Sequence, residues 1–355
     1  METKHVDIEK AIYLKTLNKN NVYKEYLFSL FDEVDNTVED CKKFTFKEIV
    51  NIIKNLNYQT KKSNRSQILP ILVSSDSEKE KLYNSIKEEF QNQIVLYIPL
   101  CPIEVRIYYH ICSCLIEDLG LEIFETMNLN SIKFRQNLDK NDAVRALLKY
   151  QQYSIKKDLL RRWLLGDELN EEEKKRLGLM TSISEDKNSL EIIKCICDSF
   201  EEPVLLFFDD IELINQKYGE EHGERLGRVA ELVFLNTFIS FLAEIKNTVI
   251  ILPCIKTSWK VLLNFSNNDL RSILESSKIE FFDLEGLKRK IMKVMDFYWL
   301  QNKIRPPTNP FFPLNDDSIE KFFKKSRGDL KKFFTLCIKT IEDILLEKKA
   351  PAQIG

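Results

Sequence analysis

At 355 residues with 44% apolar side chains, the chain is long enough for one large domain or two to three smaller ones and can bury a core, which excludes wholesale disorder. A formal net charge of −2 supplies no global basic field for nucleic acid. Three histidines offer little for a zinc site, and the eight cysteines sit mostly in apolar surroundings, as reduced core thiols do. With no signal peptide and no apolar run of 18 or more residues, the expectation is a soluble, cytoplasmic protein with no membrane partner.

In chain order, residues 1–60 carry short amphipathic helical patterns. Tyr23, Leu27, Leu30 and Phe31 share one face; Thr45 and Glu48 then open a second helix as a capping box. A polar linker, Thr60 to Ser66, leads to a first strand over Ile68–Val73. The segment Ser74-Ser75-Asp76-Ser77-Glu78-Lys79-Glu80-Lys81 follows, with a helix predicted from Glu78 to Phe90. A second strand over Ile94–Leu100 and a helix over Ile103–Leu119 complete a βαβα run, the pattern of a parallel sheet. Residues 122–188 offer no strand and read as a helical insertion around Leu159–Gly166. A helix over Ser189–Phe200 feeds the most informative stretch, Glu202–Leu213.

There the continuous apolar run Val204–Phe208 suits a strand buried on both faces, and it ends in Asp209 and Asp210. Ligands of parallel sheets bind beyond the carboxyl ends of the strands, where this pair falls. A glycine- and charge-bearing loop (Tyr218–Gly227), a long helix (Arg228–Glu244), a fourth strand (Thr248–Leu252, ending at Pro253) and a fifth (Ile279–Leu284) come next. The remainder is helical apart from a proline-rich turn at Arg305–Pro313.

Five strands separated by helices and followed by a small helical bundle resemble the AAA+ or STAND-type P-loop ATPase module. The expected fold class is α/β, with a five-stranded parallel P-loop NTPase (AAA+) core at 66–287. The helical insertion lies within it, an N-terminal helical segment (1–60) precedes it, and a C-terminal helical lid (288–349) follows. Within that resemblance, Asp209 and Asp210 stand as the catalytic acidic pair, with Asp209 on Mg²⁺. Ser74, Ser77, Lys79 and Lys81 stand in the phosphate-loop position, and Lys331 resembles the sensor-2 basic residue of the lid. Thr257 and Ser258 follow the fourth strand where a polar sensor belongs, and Arg225 and Arg228 are candidates for an arginine finger. Gly328-Asp329-Leu330-Lys331 is similar to the origin-recognition and initiator clade. Arg162-Trp163-Leu164-Leu165-Gly166-Asp167-Glu168-Leu169, with Arg176-Leu177-Gly178, is similar to ATP-binding proteins of BREX-type phage defence.

The phosphate segment departs from the G-x-x-x-x-G-K-[ST] pattern, whose glycines let backbone N–H groups converge on phosphates. It contains no glycine. With Ser74 as its first position, Glu80 stands where the lysine belongs; other registers offer Lys79 or Lys81. Asp76, Glu78 and Glu80 would repel a triphosphate by on the order of several kcal/mol, and residues with a Cβ resist the positive φ that glycine supplies. The segment reads either as a decayed nucleotide site or as an ordinary turn capped by Ser75 or Ser77. Neither favours a bound cofactor; Mg-ATP is expected only if the divergent loop still binds it.

Residues 288–349 hold 15 Lys/Arg against 8 Asp/Glu. Lys324, Lys325, Arg327, Lys331 and Lys332, with Lys288-Arg289-Lys290, are candidates for a DNA-facing basic surface, although no base-reading motif accompanies them. Three functions stay open. The first is an AAA+-like pseudo-ATPase that binds or scaffolds protein partners, an active ATPase subunit among them, in DNA replication, transposition or phage defence. The second is an active ATP hydrolase with a divergent loop. The third is a DNA-binding protein that uses the basic C-terminal bundle.

Overall fold

The computed structural model describes residues 2–19, 23–24, 27, 43–102, 106–127, 141–152, 155–266, 268–326, 330–347 and 350. Among the described residues six strands are formed: β1 (Lys43–Phe44), β2 (Gln67–Val73), β3 (Val95–Ile98), β4 (Val204–Phe208), β5 (Thr248–Ile255) and β6 (Ile279–Phe281). They lie in one sheet in the order β1-β6-β2-β5-β4-β3, with parallel pairing.

The sheet therefore has six strands, not five. The unforeseen β1 pairs only Lys43 with Glu280 and Phe44 with Phe281, and two residues are too few to leave an alternating pattern. The fourth expected strand is also longer than its sequence suggested. Pro253 does not end β5, which continues to pair Ile71 with Pro253, Leu72 with Cys254 and Val73 with Ile255. The fifth is shorter, because the Asp283 side chain accepts from the Gly286 N–H at 2.8 Å and starts a helix directly after it.

The chain divides into two compact units, Lys47–Ile279 and the two segments Met1–Phe46 and Glu280–Gly355. In the larger, β4 is buried along its whole length, as its unbroken apolar run requires. The helix after β2, α1 (Asp76–Glu89), packs on β2, β3 and β5. The insertion is helical, with Trp163 in its core donating to the Thr181 carbonyl at 2.9 Å. Arg162 bridges to Glu173 at 2.8 Å.

The predicted loop Tyr218–Gly227 is not a loop. A helix over Ile214–His222 meets α2 (Glu224–Glu244) with Gly223 alone between them. Gly223 supplies φ 95°, and at Gly227 a Cβ would come within 2.4 Å of the Asn215 carbonyl oxygen. These glycines serve a tight corner and a close helix contact. Among the described residues, α2 is the one helix long and apolar enough to cross a membrane by length and composition. Its Phe234, Leu235, Phe238 and Phe241 are buried in the larger unit.

The smaller unit packs a helix over Glu2–Lys19 with α3 (Leu284–Gln301), α4 (Asp316–Ser326) and α5 (Leu330–Leu345) around one apolar cluster. Tyr13 meets Trp299 edge-on at 5.2 Å within that cluster.

Candidate functional site

The carboxyl ends of β2 and β4, separated by β5, converge on one side chain. Between β2 and α1 lie only Ser74 and Ser75, and the helix has begun by Asp76. Lys79 therefore stands one turn into the helix and is 2% exposed. Its ammonium lies 3.0 Å from Asp209 Oδ1, 2.9 Å from Asp210 Oδ1 and 2.9 Å from Glu212 Oε1, with Asp76 Oδ1 farther off at 3.5 Å. The ammonium donates to Asp210 Oδ1, and Asp209 and Glu212 close the ion cluster around it within 3.0 Å.

The acidic side is built as closely. Asp209 donates its N–H to the Ile98 carbonyl at 2.9 Å, extending the β3 pairing by one residue, and accepts from the Tyr97 hydroxyl at 2.5 Å. Asp210 takes up φ 58°, a left-handed conformation unusual outside glycine, Asn and Asp. Its own N–H donates to Asp209 Oδ1 at 2.8 Å, and its Oδ2 accepts from Lys217 at 2.9 Å. Glu212, in a 3-10 turn over Ile211–Leu213, has a fully buried side chain and accepts from the Ile255 N–H at 2.9 Å. It fastens the acidic strand to the end of β5.

Charges respond accordingly. Burial disfavours the Lys79 ammonium, but Glu212 foremost, then Asp210 and Asp209, outweigh it and hold its pKa well above the usual lysine value. Burial raises the Glu212 carboxyl, with Lys79 and the Ile255 N–H opposing. Against burial, Lys217 and Lys79 keep Asp210 below the ordinary aspartate range. Burial and the bond to Asp209 push the Tyr97 hydroxyl upward.

The other side of the turn is also satisfied from within. The Ser74 N–H donates to Glu78 Oε2 at 2.6 Å, so the chain's own carboxylate faces the helix start where a phosphate-binding loop presents N–H groups to an anion. Ser75 and Ser77 hydroxyls bond each other at 3.0 Å, and Lys81 is exposed on the opposite side of α1 from Lys79. Mg-ATP fits these residues poorly. Its metal position faces an ammonium, its phosphate position faces Glu78, and the two-residue turn has no wide backbone cradle.

Of the sequence-predicted residues, the fold brings together Asp209, Asp210 and Lys79, while Ser74 and Ser77 bond to Glu78 and Ser75. Thr257 is exposed and Ser258 half-buried on the helix Lys256–Phe265. Arg225 and Arg228 are exposed on α2, Arg228 paired with Glu224. Lys324 and Lys325 are exposed in the last turn of α4. Arg327 and the Lys331 side chain lie outside the described residues, and Lys332 is exposed on α5. Lys288 does not belong to a basic face: it is 4% exposed, bridged to Glu285 (2.8 Å), Asp316 (2.9 Å) and Glu320 (3.2 Å).

Sequence reasoning missed Glu212 and Tyr97. An acid set among Ile211, Leu213 and Ile214 signalled a buried carboxylate in need of a cation. Tyr97 left no comparable mark. No protein-family model matches this chain, and no curated protein matches it.

Proposed function

We propose that this chain is an AAA+-like pseudo-ATPase, a binding or scaffolding subunit whose nucleotide site has been replaced by an internal ion cluster. The observation that carries the reading is the saturation of Lys79 by Asp209, Asp210 and Glu212. A lysine that reaches phosphate must have donors to give, and an aspartate that holds Mg²⁺ must have a lone pair facing the metal. Here each group spends that capacity on the other, and Lys79 takes the place of the divalent cation as a tethered, permanently bound one.

The parallel sheet and the placing of the acidic pair at the carboxyl end of β4 support descent from a nucleotide-binding framework. Protein partners, an active ATPase subunit among them, are the expected ligands of such a framework once it no longer binds nucleotide. The setting in DNA replication, transposition or phage defence rests on resemblance alone. The enclosure of Lys288 weakens the reading of the C-terminal helices as a DNA-binding face, because a paired lysine releases no counterion on binding phosphate.

Titration of the full chain with a fluorescent ATP analogue in Mg²⁺ tests the proposal. No saturable binding is expected up to millimolar nucleotide. Micromolar binding that disappears in Asp209→Ala overturns it, and ATP hydrolysis lost in the same variant overturns it equally.

A further inference from the structure

The exposed side of α2 has the spacing of a helix-pairing seam. Leu226, Val229, Val233, Asn236, Ser240 and Ala243 recur at intervals of 3, 4, 3, 4 and 3, and all six are exposed. Leu226, Val229 and Val233 are 52%, 48% and 57% exposed, and Leu232 beside them is 45% exposed. The 3.5-residue period is that of two helices packed side by side. From Val229 to Ala243 this face carries no charge, in a chain that is 30% charged. That excludes DNA and acidic peptides as its ligand. The hydroxyls along it are turned inward, Thr237 donating to the Val233 carbonyl at 2.9 Å and Ser240 to the Asn236 carbonyl at 3.3 Å.

The seam is graded by size. Its first three residues are bulky and its last three are small, so reversing the helix exchanges the two halves. We propose that α2 is the surface on which two copies of this chain pair, antiparallel and about a two-fold axis. In that register Leu226 of each copy meets Ala243 of the other, Val229 meets Ser240, and Val233 meets Asn236. The two Asn236 residues sit on either side of the two-fold axis, about three residues or ~4.5 Å apart along the helix direction. They can bond each other there, and a buried Asn pair fixes register. The helix macrodipoles then run in opposite directions, which suits side-by-side contact. An isologous contact of this kind needs one self-complementary face, and α2 supplies it.

The seam is roughly 26 Å long, which puts the interface near the lower edge of specific contacts, about 1,000 Å² in total, the size class of weak and transient association. A membrane suits this face less well. One face of α2, with Phe234, Phe238 and Phe241, is already buried in the larger unit, and interfacial helices need bulky apolar residues along the whole exposed face with basic flanks, whereas this face ends in Asn236, Ser240 and Ala243.

Sedimentation velocity of the full chain from about 1 to about 200 μM spans the expected transition from monomer to dimer. Val229→Glu and Val233→Glu should each raise the dissociation constant at least about tenfold while leaving the helical circular dichroism and melting profile unchanged. Mixing Val229→Cys with Ser240→Cys protein should give a 229–240 disulfide on oxidation, read by mass spectrometry. Monomer at every concentration overturns the proposal. So does a dimer indifferent to Val233→Glu, a dominant 229–229 or 240–240 crosslink, or a chain that stays monomeric and floats with lipid vesicles.

Discussion

Lys79, in the helix after β2, and Glu212, in the 3-10 turn after β4, lie 2.9 Å apart, and Glu212 also accepts from the Ile255 N–H at the end of a third strand. One ion pair thus ties together the carboxyl ends of β2, β4 and β5. That edge of a parallel sheet normally stays open for a ligand. Here it is closed by the chain's own side chains.

Removing the lysine should be costly, and the cost should depend on how deeply its partners are buried. Lys79→Met leaves Asp209, Asp210 and Glu212 facing one another with side-chain exposures of 14%, 24% and 0%. Breaking one side of such a cluster is expected to destabilise by about 3–5 kcal/mol. Lys288→Met is the control: Glu285, Asp316 and Glu320 are 67%, 56% and 46% exposed and water can solvate them, so a loss of about 1 kcal/mol is expected. Urea unfolding at neutral pH measures both. Equal losses would show that burial of the carboxylates is not what makes Lys79 important.

The same variant should acquire a dependence on divalent cations. With the ammonium gone, three carboxylates share a site whose missing charge Mg²⁺ or Ca²⁺ can supply. Millimolar Ca²⁺ should raise the melting temperature of Lys79→Met and leave the wild type unchanged. Binding only to the native state stabilises in proportion to the logarithm of concentration, so the shift should grow steadily across a titration. A variant as indifferent to Ca²⁺ as the wild type would mean that the cluster collapses rather than waiting for a cation.

Gly227 and Gly223 should respond differently to alanine. At Gly227 the new Cβ meets the Asn215 carbonyl oxygen at 2.4 Å and the Gly219 nitrogen at 2.8 Å, both backbone atoms. Two helices must move apart, with a loss of about 1–3 kcal/mol. At Gly223 nothing lies within 4 Å, and the penalty is only that of φ 95°, about 1–2 kcal/mol. Thermal melts of the two variants compare crowding with backbone strain. A Gly227→Ala protein as stable as wild type would contradict the close helix contact.

The βα alternation and the placing of Asp209 and Asp210 at a strand end were legible in the sequence, because a run such as Val204–Phe208 has few other uses. The stretch Tyr218–Gly227 reads as a loop because its three glycines resemble loop punctuation, and only tertiary contact shows that Gly223 makes a corner and Gly227 admits a neighbouring helix. Strand β1 was invisible because its stability comes from pairing with β6 rather than from its two residues. The site was half legible. Lys79 stood among the phosphate candidates, but its true role depends on the helix starting at Asp76, two residues earlier than the pattern around Glu78 implied. That shift turns its ammonium toward the acidic strand.

A buried acid on α2 should make stability fall as pH rises. Glu231 is fully buried, and burial pushes its carboxyl from 4.5 up to about 7, opposed in part by Asn215. A folded pKa above the unfolded one means that the native state keeps its proton after the unfolded chain has released it. The native state is favoured fully below about 4.5, loses ground between 4.5 and 7, and stays lower by roughly 3 kcal/mol above that window. Asp210 acts in the opposite sense, since its folded pKa lies below the unfolded value near 3.8. Its contribution is present above 3.8 and is lost as pH falls through the folded value, so the two groups separate cleanly along the pH axis. Glu231→Gln keeps the shape of the side chain and removes the titration. It should therefore stabilise the protein at pH 8, by up to roughly 3 kcal/mol, and change little at pH 4.5. Denaturant unfolding of both proteins at pH 4.5, 6 and 8 reads this directly; parallel stability profiles for variant and wild type would place the Glu231 proton outside the folding equilibrium.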